Sequence, residues 1–148
     1  MSNDAHLSDE LRQEIYTSFS RQGFLRGMDA RLASVEFGRC EIGMPFSDVV
    51  KQQHGFFHGG AVGALADTAG GYAAMTTARD LSEVLTVEYK INFMQPARGQ
   101  MLIAEGTVLR AGRRLVTTRV DVFATDDGRR SLCATILQTI MRVPADKE

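Results

Sequence analysis

The apolar positions near the N-terminus recur with the period of an amphipathic helix. They are Leu11, Ile15 and Phe19. Their spacing predicts a helix over about 8–22, because residues four apart lie on one face of a helix. Ser8 can cap the start of this helix, and Gly23 stands where a glycine commonly ends one. The following residues 29–44 alternate loosely between apolar and polar, which predicts two short strands or one bent strand.

Residues 59–78 are apolar around the whole circumference of a helix, and Asp67 is the only charged residue among them. A helix that is apolar on every side is typically buried. Each glycine within it costs up to ~1 kcal/mol of helix propensity relative to alanine, so packing against the rest of the fold must stabilise it. These glycines are Gly59, Gly60, Gly63, Gly70 and Gly71.

The second half of the chain alternates between apolar and polar residues, which is typical of strands. Turn signals at Ala111-Gly112 and Asp127-Gly128 separate the alternating segments. The predicted strands lie at 85–93, 101–110, 116–124 and 132–140. This order of elements predicts an α+β fold in which a curved antiparallel sheet wraps around one long central helix. Because the sequence contains no linker or internal repeat, we expect a single domain over 1–148.

Composition and charge narrow the range of partners. The 148 residues carry a net charge of −1, which indicates neither a nucleic-acid partner nor a membrane surface. The N-terminal segment lacks the apolar core of a secretory signal, and the apolar stretch 59–75 is too short to span a bilayer. Cys40 and Cys133 lack metal-ligand spacing and are expected to be buried, reduced thiols. We therefore expect a cytoplasmic protein with no metal or other cofactor.

The segment that runs from Gln52 into the central helix carries the candidate chemistry. Glycines at the start of a helix present free backbone N–H groups at the positive end of the helix dipole, which can bind a polarised carbonyl oxygen. Asp67 lies two turns further on, where burial of a carboxylate is costly unless the group is paired or used. Two simpler interpretations stay open, with Asp67 as a structural hydrogen-bond anchor and His58 as a helix cap.

The spacing of Gly59 and Asp67 has a consequence for assembly. The two residues are eight positions apart on the same predicted helix. At ~1.5 Å per residue they lie about 12 Å apart along the helix axis, so they cannot both contact one carbonyl group. If both residues act, they must come from two copies of the chain. We therefore expect a homodimer or homotetramer whose active sites are shared between protomers.

Two motifs resemble a known family. The pattern H-G-G-x6-D at 58–67, followed by T-V-E-x-x-I-x-F-x-x-P-A at 86–97, resembles the PaaI-like (phenylacetate-degradation type) branch of the hotdog-fold acyl-CoA thioesterases. The resemblance covers roughly 38–143 and implies the hotdog fold. It also implies that Asp67 acts as general base or nucleophile on a thioester, and that the backbone N–H of Gly59 holds the thioester oxygen.

Three further site residues follow from the same resemblance. A threonine or serine matching Thr86 helps to position the attacking water, although strict alternation turns Thr86 away from the sheet face expected to pack on the helix. His58 belongs to the H-G-G motif at the start of the helix. The family commonly has asparagine where this chain has Gln52, and the longer amide would have to sit differently to polarise the carbonyl or hold water.

Binding residues are expected in the loops and in the central helix. Four arginines are either solvated hairpin tips or a phosphate clamp for CoA, and the resemblance favours the clamp because arginine matches phosphate geometry. These arginines are Arg98, Arg110, Arg113 and Arg114. The residues expected to line the acyl pocket are Phe56, Phe57, Tyr72 and Met75.

The sequence thus predicts an enzyme that hydrolyses an acyl- or aryl-CoA thioester to the free acid and CoA. A second hypothesis is a non-catalytic acyl-CoA-binding module or sensor on the same fold, which would need no carboxylate at the carbonyl group. A third is a dehydratase or hydratase in which His58 and Asp67 act together. The fold alone does not separate these three functions, whereas the H-G-G context favours the thioesterase.

Overall fold

A long helix covered by a six-stranded antiparallel sheet forms the centre of the molecule. The computed structural model describes residues 6–145. Its helices are α1 (Asp9–Ser20), α2 (Gly23–Gly27) and α3 (Gly59–Met75). Its strands are β1 (Arg31–Glu36), β2 (Arg39–Pro45), β3 (Glu83–Phe93), β4 (Met101–Ala111), β5 (Leu115–Asp126) and β6 (Arg129–Val143). The strand order is β1-β2-β4-β5-β6-β3, so β1 and β3 form the two edges of the sheet.

Helix α3 is the buried helix that the sequence predicts. It contacts all six strands, and most of its side chains are excluded from solvent. Its backbone lies unusually close to the sheet, because a Cβ atom at Gly106 of β4 would stand 2.5 Å from the carbonyl oxygen of Ala69. Glycine at that strand position therefore permits the close packing that compensates for the low helix propensity of α3.

Helix α1 packs on this core as its pattern predicts, since Leu11, Ile15 and Phe19 are all buried. The Ser8 hydroxyl accepts a hydrogen bond from the backbone N–H of Leu11 at 3.2 Å, which confirms the cap. The predicted end of the helix is wrong. Helix α1 stops at Ser20, and Arg21 closes it in a right-handed conformation, so no left-handed glycine is needed. Gly23 instead begins the short helix α2.

Two tight turns join strands where the sequence carries glycine. Gly38, with φ of +73°, connects β1 to β2, so residues 29–44 form two short strands rather than one bent strand. Asp127 and Gly128 both have positive φ, which gives the β5–β6 hairpin the turn geometry expected for an Asp-Gly pair. The predicted order of strands in the second half of the chain is confirmed.

Edge strand β3 pairs with β6 on one side only, and its register shifts between Thr86 and Glu88. One residue, Val87, is therefore extra on the β3 side, as in a β-bulge. Apolar side chains along this strand remain open to solvent in the single chain, with Leu85 57% and Val87 55% exposed. Such a long apolar edge is typical of a strand that pairs with a further chain.

Within residues 6–145, no helix is long and apolar enough to cross a membrane. The same part of the chain contains no cluster of three or more histidine, cysteine or acidic side chains that could hold a metal ion. Cys40 and Cys133 are free and buried. Burial, with a smaller contribution from Glu41, raises the pKa of the Cys40 thiol to about 12. Burial also raises the pKa of Cys133, so both thiols stay protonated and neither is a reactive nucleophile.

Candidate active site

Asp67 lies in the middle of α3 with its two carboxylate oxygens in different surroundings. Oδ1 accepts a hydrogen bond from the Thr86 hydroxyl at 2.7 Å and a second from the side-chain amide of Gln138. Among the described residues, no donor contacts Oδ2. One oxygen is therefore fixed to the fold, while the other is available to a substrate or to water.

Thr86 reaches Asp67 because of the bulge at Val87. Strict alternation places Thr86 on the face opposite Tyr89, and that expectation is wrong. The extra residue reverses the alternation once, so Thr86 and Tyr89 lie on the same side of β3 and both face α3. Strict alternation would place Leu85 and Val87 beside Tyr89 on the face toward the helix, but both are exposed.

Strand β3 runs along one stripe of α3 at intervals of one helical turn. A Cβ atom at Gly59 would lie 3.3 Å from the Phe93 ring, and one at Gly63 would lie 3.4 Å from the Tyr89 hydroxyl. Thr86 follows at Asp67, four residues further along the helix. Gly59 and Gly63 leave room for the aromatic side chains of β3. At the third position, Asp67 accepts a hydrogen bond from the Thr86 hydroxyl.

Gln138 of β6 was not recognised as a site residue from the sequence. Its side chain is 1% exposed, and its Oε1 accepts a hydrogen bond at 2.9 Å from the hydroxyl of Thr118, which is fully buried. A Cβ atom at Gly70 would lie 1.9 Å from Gln138 Oε1, so glycine at that position makes room for the amide. The available signal was a lone amide on the apolar face of the last strand, since buried polar groups need specific partners.

The start of α3 combines a cap with a free donor. The Nδ1 atom of His58 accepts a hydrogen bond from the backbone N–H of Gly60 at 2.7 Å, so the imidazole serves as the N-cap. Among the described residues, the N–H of Gly59 has no acceptor, and Gly59 is exposed to solvent. An exposed N–H at the positive end of a helix is a suitable donor for an oxyanion.

Gln52 lies in the turn that precedes α3. Its backbone N–H donates to the Phe56 carbonyl at 2.9 Å, and its side-chain oxygen accepts a hydrogen bond from the His54 N–H. The amide oxygen therefore stabilises the turn, and the amide nitrogen is the part left for a ligand. Within one chain no hydrogen bond joins Gln52 to Asp67.

A small pocket of about 190 Å³ opens beside Asp67, between α1, α3 and β3. Tyr72 and Met75, two of the predicted acyl-pocket residues, line it together with Ser18 of α1 and Gln22, the N-cap residue of α2. The Tyr72 hydroxyl is 3.0 Å from the Ser18 hydroxyl and accepts a hydrogen bond from the Gln22 amide at 2.8 Å. Burial raises the pKa of Tyr72, so this hydroxyl remains neutral.

The other two predicted pocket residues lie elsewhere. Phe57 is buried in the hydrophobic core, where its ring meets that of Phe46 edge-on with centroids 5.1 Å apart. Phe56 lies beneath the Arg98 guanidinium, which is 5.0 Å from the centre of the ring. Neither side chain lines the pocket beside Asp67, because the turn before α3 directs one into the core and the other toward Arg98.

The four predicted CoA-binding arginines do not form one cluster within a chain. Arg98 precedes β4 and lies near the N-terminal end of α3, since the Ala97 carbonyl accepts a hydrogen bond from the Phe57 N–H. Arg110, Arg113 and Arg114 lie at the far end of β4, an eleven-residue strand that spans roughly 33 Å. Arg98 is therefore too distant to share one phosphate group with them.

An open groove lies at that far end, beside the C-terminal end of α3. Arg113 and Arg114 line it together with Arg79 and Arg142. The Nη2 atom of Arg142 donates to the Thr77 hydroxyl at 2.7 Å, and its buried Nη1 has no acceptor among the described residues. The groove thus presents several guanidinium groups to a single opening. Arg79 and Arg142 were not predicted, because they lie on segments distant in sequence from the β4–β5 hairpin.

Comparisons with known proteins agree with this fold. The family model of the Thioesterase superfamily matches residues 54–131. A crystal structure of a thioesterase family protein from Silicibacter pomeroyi is 36% identical, with a TM-score of 0.88 over 91% of this chain and 99% of that one. A Saccharolobus solfataricus protein provisionally named an esterase is 31% identical over 102 residues, which are 69% of this chain and 71% of that protein. The PaaI protein of Escherichia coli, from the phenylacetic acid degradation operon, shares the fold at 19% identity, with a TM-score of 0.82 over 93% of this chain and 96% of that one.

A curved six-stranded antiparallel sheet around one central helix is the hotdog fold, and together with the thioesterase relatives it places the protein in the class of hotdog-fold thioester hydrolases. The chain belongs to the Thioesterase superfamily. The predicted fold class, the family resemblance and the prediction of a thioester-hydrolysing enzyme are thereby confirmed.

Proposed function

We propose that this protein hydrolyses acyl-CoA thioesters to the free acid and CoA, with Asp67 as the catalytic carboxylate. The observation that carries this proposal is the asymmetry of Asp67, whose Oδ1 is held by two donors while Oδ2 has none among the described residues. A carboxylate used only as a structural anchor would need no free oxygen beside a pocket. Asp67 has a free oxygen, and it also lines the pocket of about 190 Å³.

The reaction requires a donor for the carbonyl oxygen and a base or nucleophile for the carbonyl carbon. The Gly59 N–H supplies the donor, and its hydrogen bond strengthens as negative charge develops on the oxygen. Asp67 Oδ2 either takes a proton from water, which attacks the carbon, or attacks the carbon itself to form an anhydride that water then cleaves. In both routes the carbon–sulfur bond breaks, and the CoA sulfur leaves as a thiolate that takes up a proton.

A complete site requires two chains. Gly59 and Asp67 are the first and ninth residues of α3, so they lie about 12 Å apart along one helix axis. We therefore assign the Gly59 donor of one protomer and the Asp67 carboxylate of another to each site. The exposed edge strand β3 supports this assembly, because its unpaired backbone and apolar Leu85 and Val87 suit antiparallel pairing with a second copy.

We assign the arginine-lined groove at the end of α3 to the phosphate groups of CoA. Arg113 and Arg114 are exposed at its rim, and guanidinium groups bind phosphate through paired hydrogen bonds. The proposed chemistry needs no cofactor, because carboxylate, water and a backbone donor complete each step. The two protonated, buried cysteines suit a reducing compartment, and we place the protein in the cytoplasm.

The experiment that tests the function is a hydrolysis screen of the purified protein against aryl, short, medium and long acyl-CoAs, with free thiol as the readout. We expect thiol release from at least one class. Arg113→Glu combined with Arg114→Glu is expected to raise KM for that CoA thioester by about tenfold with little change in kcat, because phosphate contacts remote from the carbonyl contribute uniform binding.

The matched control is the same acyl group on N-acetylcysteamine, which lacks the CoA phosphates and whose KM should not respond to the charge reversal. Binding of acyl-CoA without any thiol release would contradict the proposal and favour a non-catalytic binding module. An unchanged KM for the CoA thioester in the double variant would mean that the two arginines are solvated turn residues.

A further inference from the structure

We infer that Gln138 is a positioning residue for catalysis, whose buried amide holds Oδ1 of Asp67 so that Oδ2 faces the thioester. This inference rests on the proposed function of Asp67 as the catalytic carboxylate. The two residues are 71 positions apart in sequence, and the contact joins the last strand to the central helix. Gln138 itself contacts neither water nor substrate in this assignment, and it acts through Asp67.

The chemistry of the amide fixes its orientation. A carboxylate oxygen only accepts hydrogen bonds, so the group that faces Asp67 must be the NH2 group of Gln138. The opposite end of the amide, Oε1, accepts the hydroxyl proton of Thr118 at 2.9 Å. Reversing the amide would set Oε1 against the carboxylate and Nε2 against Thr118. The carboxylate therefore selects the orientation in which Gln138 donates to Asp67, and the Thr118 hydroxyl, which can donate or accept, anchors the opposite end of the amide by donating to Oε1.

The side-chain NH2 group of Gln138 has a second proton, which has two further acceptors nearby. Nε2 also lies 3.2 Å from the Asp67 backbone carbonyl and 3.2 Å from the Thr86 hydroxyl oxygen. The Thr86 oxygen in turn donates its proton to Asp67 Oδ1. Oδ1 is thus held by two donors that also contact each other, which leaves the carboxylate little freedom to rotate and exchange its two oxygens.

Gly70 shows that α3 is built around this amide. A Cβ atom there would stand 1.9 Å from Gln138 Oε1 and 2.9 Å from the Thr118 hydroxyl oxygen. Any larger residue would displace the hydrogen-bonded pair of Gln138 Oε1 and the Thr118 hydroxyl that anchors the amide. Glycine has a low helix propensity and is unfavourable in the interior of a helix. The close approach of Gln138 and Thr118 explains why glycine nevertheless stands at position 70.

A purely structural role would have a different kinetic signature. If Gln138 only joined β6 to α3, its loss would lower stability and leave the turnover of the folded enzyme unchanged. If it positions Asp67, its loss lowers kcat and leaves KM nearly constant, because the carboxylate orientation matters in the transition state and not for binding of the CoA portion.

The test begins with the parent protein and its best substrate from the thiol-release screen. Gln138→Met keeps the volume of the side chain and removes the donor. We expect kcat to fall about tenfold with KM within about twofold of the parent, since Thr86 still holds one hydrogen bond to Oδ1. Thr118→Val, which removes the hydrogen-bond partner of the buried Oε1 and so loosens the amide, is expected to lower kcat about threefold, whereas Thr118→Ser retains the hydroxyl and the activity.

The double variant Gln138→Met with Thr118→Val is expected to match Gln138→Met alone, because Thr118 acts only through Gln138. A folded Gln138→Met protein with parental kcat would overturn the inference. Should that variant fail to fold, the Thr118 pair decides, and equal kcat for valine and serine at this position would overturn it as well. Inactivity of the parent protein itself would instead refute the proposed function, so the two failures are distinguishable.

Discussion

Asp67→Asn is expected to lower kcat by ~100-fold or more, which is typical of the loss of a positioned acid–base group. The substitution keeps the shape of the side chain, and its remaining oxygen can still accept hydrogen bonds from Thr86 and Gln138. The amide nitrogen then occupies the place of Oδ2, where it can neither accept a proton from water nor attack a carbonyl carbon. KM should change little, because the binding surfaces are untouched.

The matched control for this prediction is Asp126→Asn, the same chemical change at an exposed carboxylate at the end of β5. Both variants should keep the parental melting temperature and oligomeric state, and only Asp67→Asn should lose turnover in the thiol-release assay. Near-parental kcat in a folded Asp67→Asn protein would refute the catalytic role of Asp67 and leave it as a structural anchor.

Gly59→Pro is expected to lower kcat by about 100-fold as well, because it removes the backbone N–H assigned to the developing oxyanion. Proline is well tolerated at the first position of a helix. His58, the preceding residue, has φ of −64° and ψ of 137°, an extended conformation that suits a residue before proline. The variant should therefore fold and keep its assembly, which circular dichroism and light scattering can check.

Gly59→Ala separates the loss of the donor from the gain of a side chain. Alanine keeps the N–H, and its Cβ would stand 3.3 Å from the Phe93 ring, which has to shift by a few tenths of an ångström. We expect this variant to lose far less activity than Gly59→Pro. Equal losses in the two variants would mean that the space beside Phe93 matters and that the N–H is not the oxyanion donor.

Much of the fold could be predicted because its signals are local. The unbroken apolar character of 59–78 identifies a buried helix, and the Asp127-Gly128 pair identifies a hairpin. The exact ends of α1 could not be predicted, since a right-handed closure at Arg21 uses no distinctive residue. Element boundaries depend on such weak local preferences.

The candidate site could be predicted only where its residues form a linear motif. Gly59 and Asp67 belong to one helix, and their distance apart follows from helix geometry. The contact between Thr86 and Asp67 depends on a β-bulge at Val87, and no residue type in the strand predicts that bulge. Gln138 reaches the carboxylate from another strand, and only the packed structure reveals which residue a buried amide contacts.

The predicted arginine clamp shows that surface residues close in sequence need not be close in the fold. Arg98 and Arg113 lie fifteen positions apart in sequence, but β4 separates them by most of the length of the sheet. The groove at the far end of β4 is instead lined by Arg79 and Arg142, which belong to other parts of the chain, together with Arg113 and Arg114. Spacing along a chain indicates proximity within a helix or a turn, whereas a strand carries its two ends far apart.

Complementation between two inactive variants tests the central claim, that each site combines Gly59 of one chain with Asp67 of another. After subunit exchange between Asp67→Asn and Gly59→Pro proteins, a hybrid dimer has one site with both lesions and one site with neither. Random exchange makes about half of the dimers hybrid, so roughly a quarter of parental activity is expected to return. Mass spectrometry of intact dimers with one tagged partner verifies the exchange. No recovery despite demonstrated hybrids would contradict the shared site and mean that the assignment of Gly59 or of Asp67 is wrong.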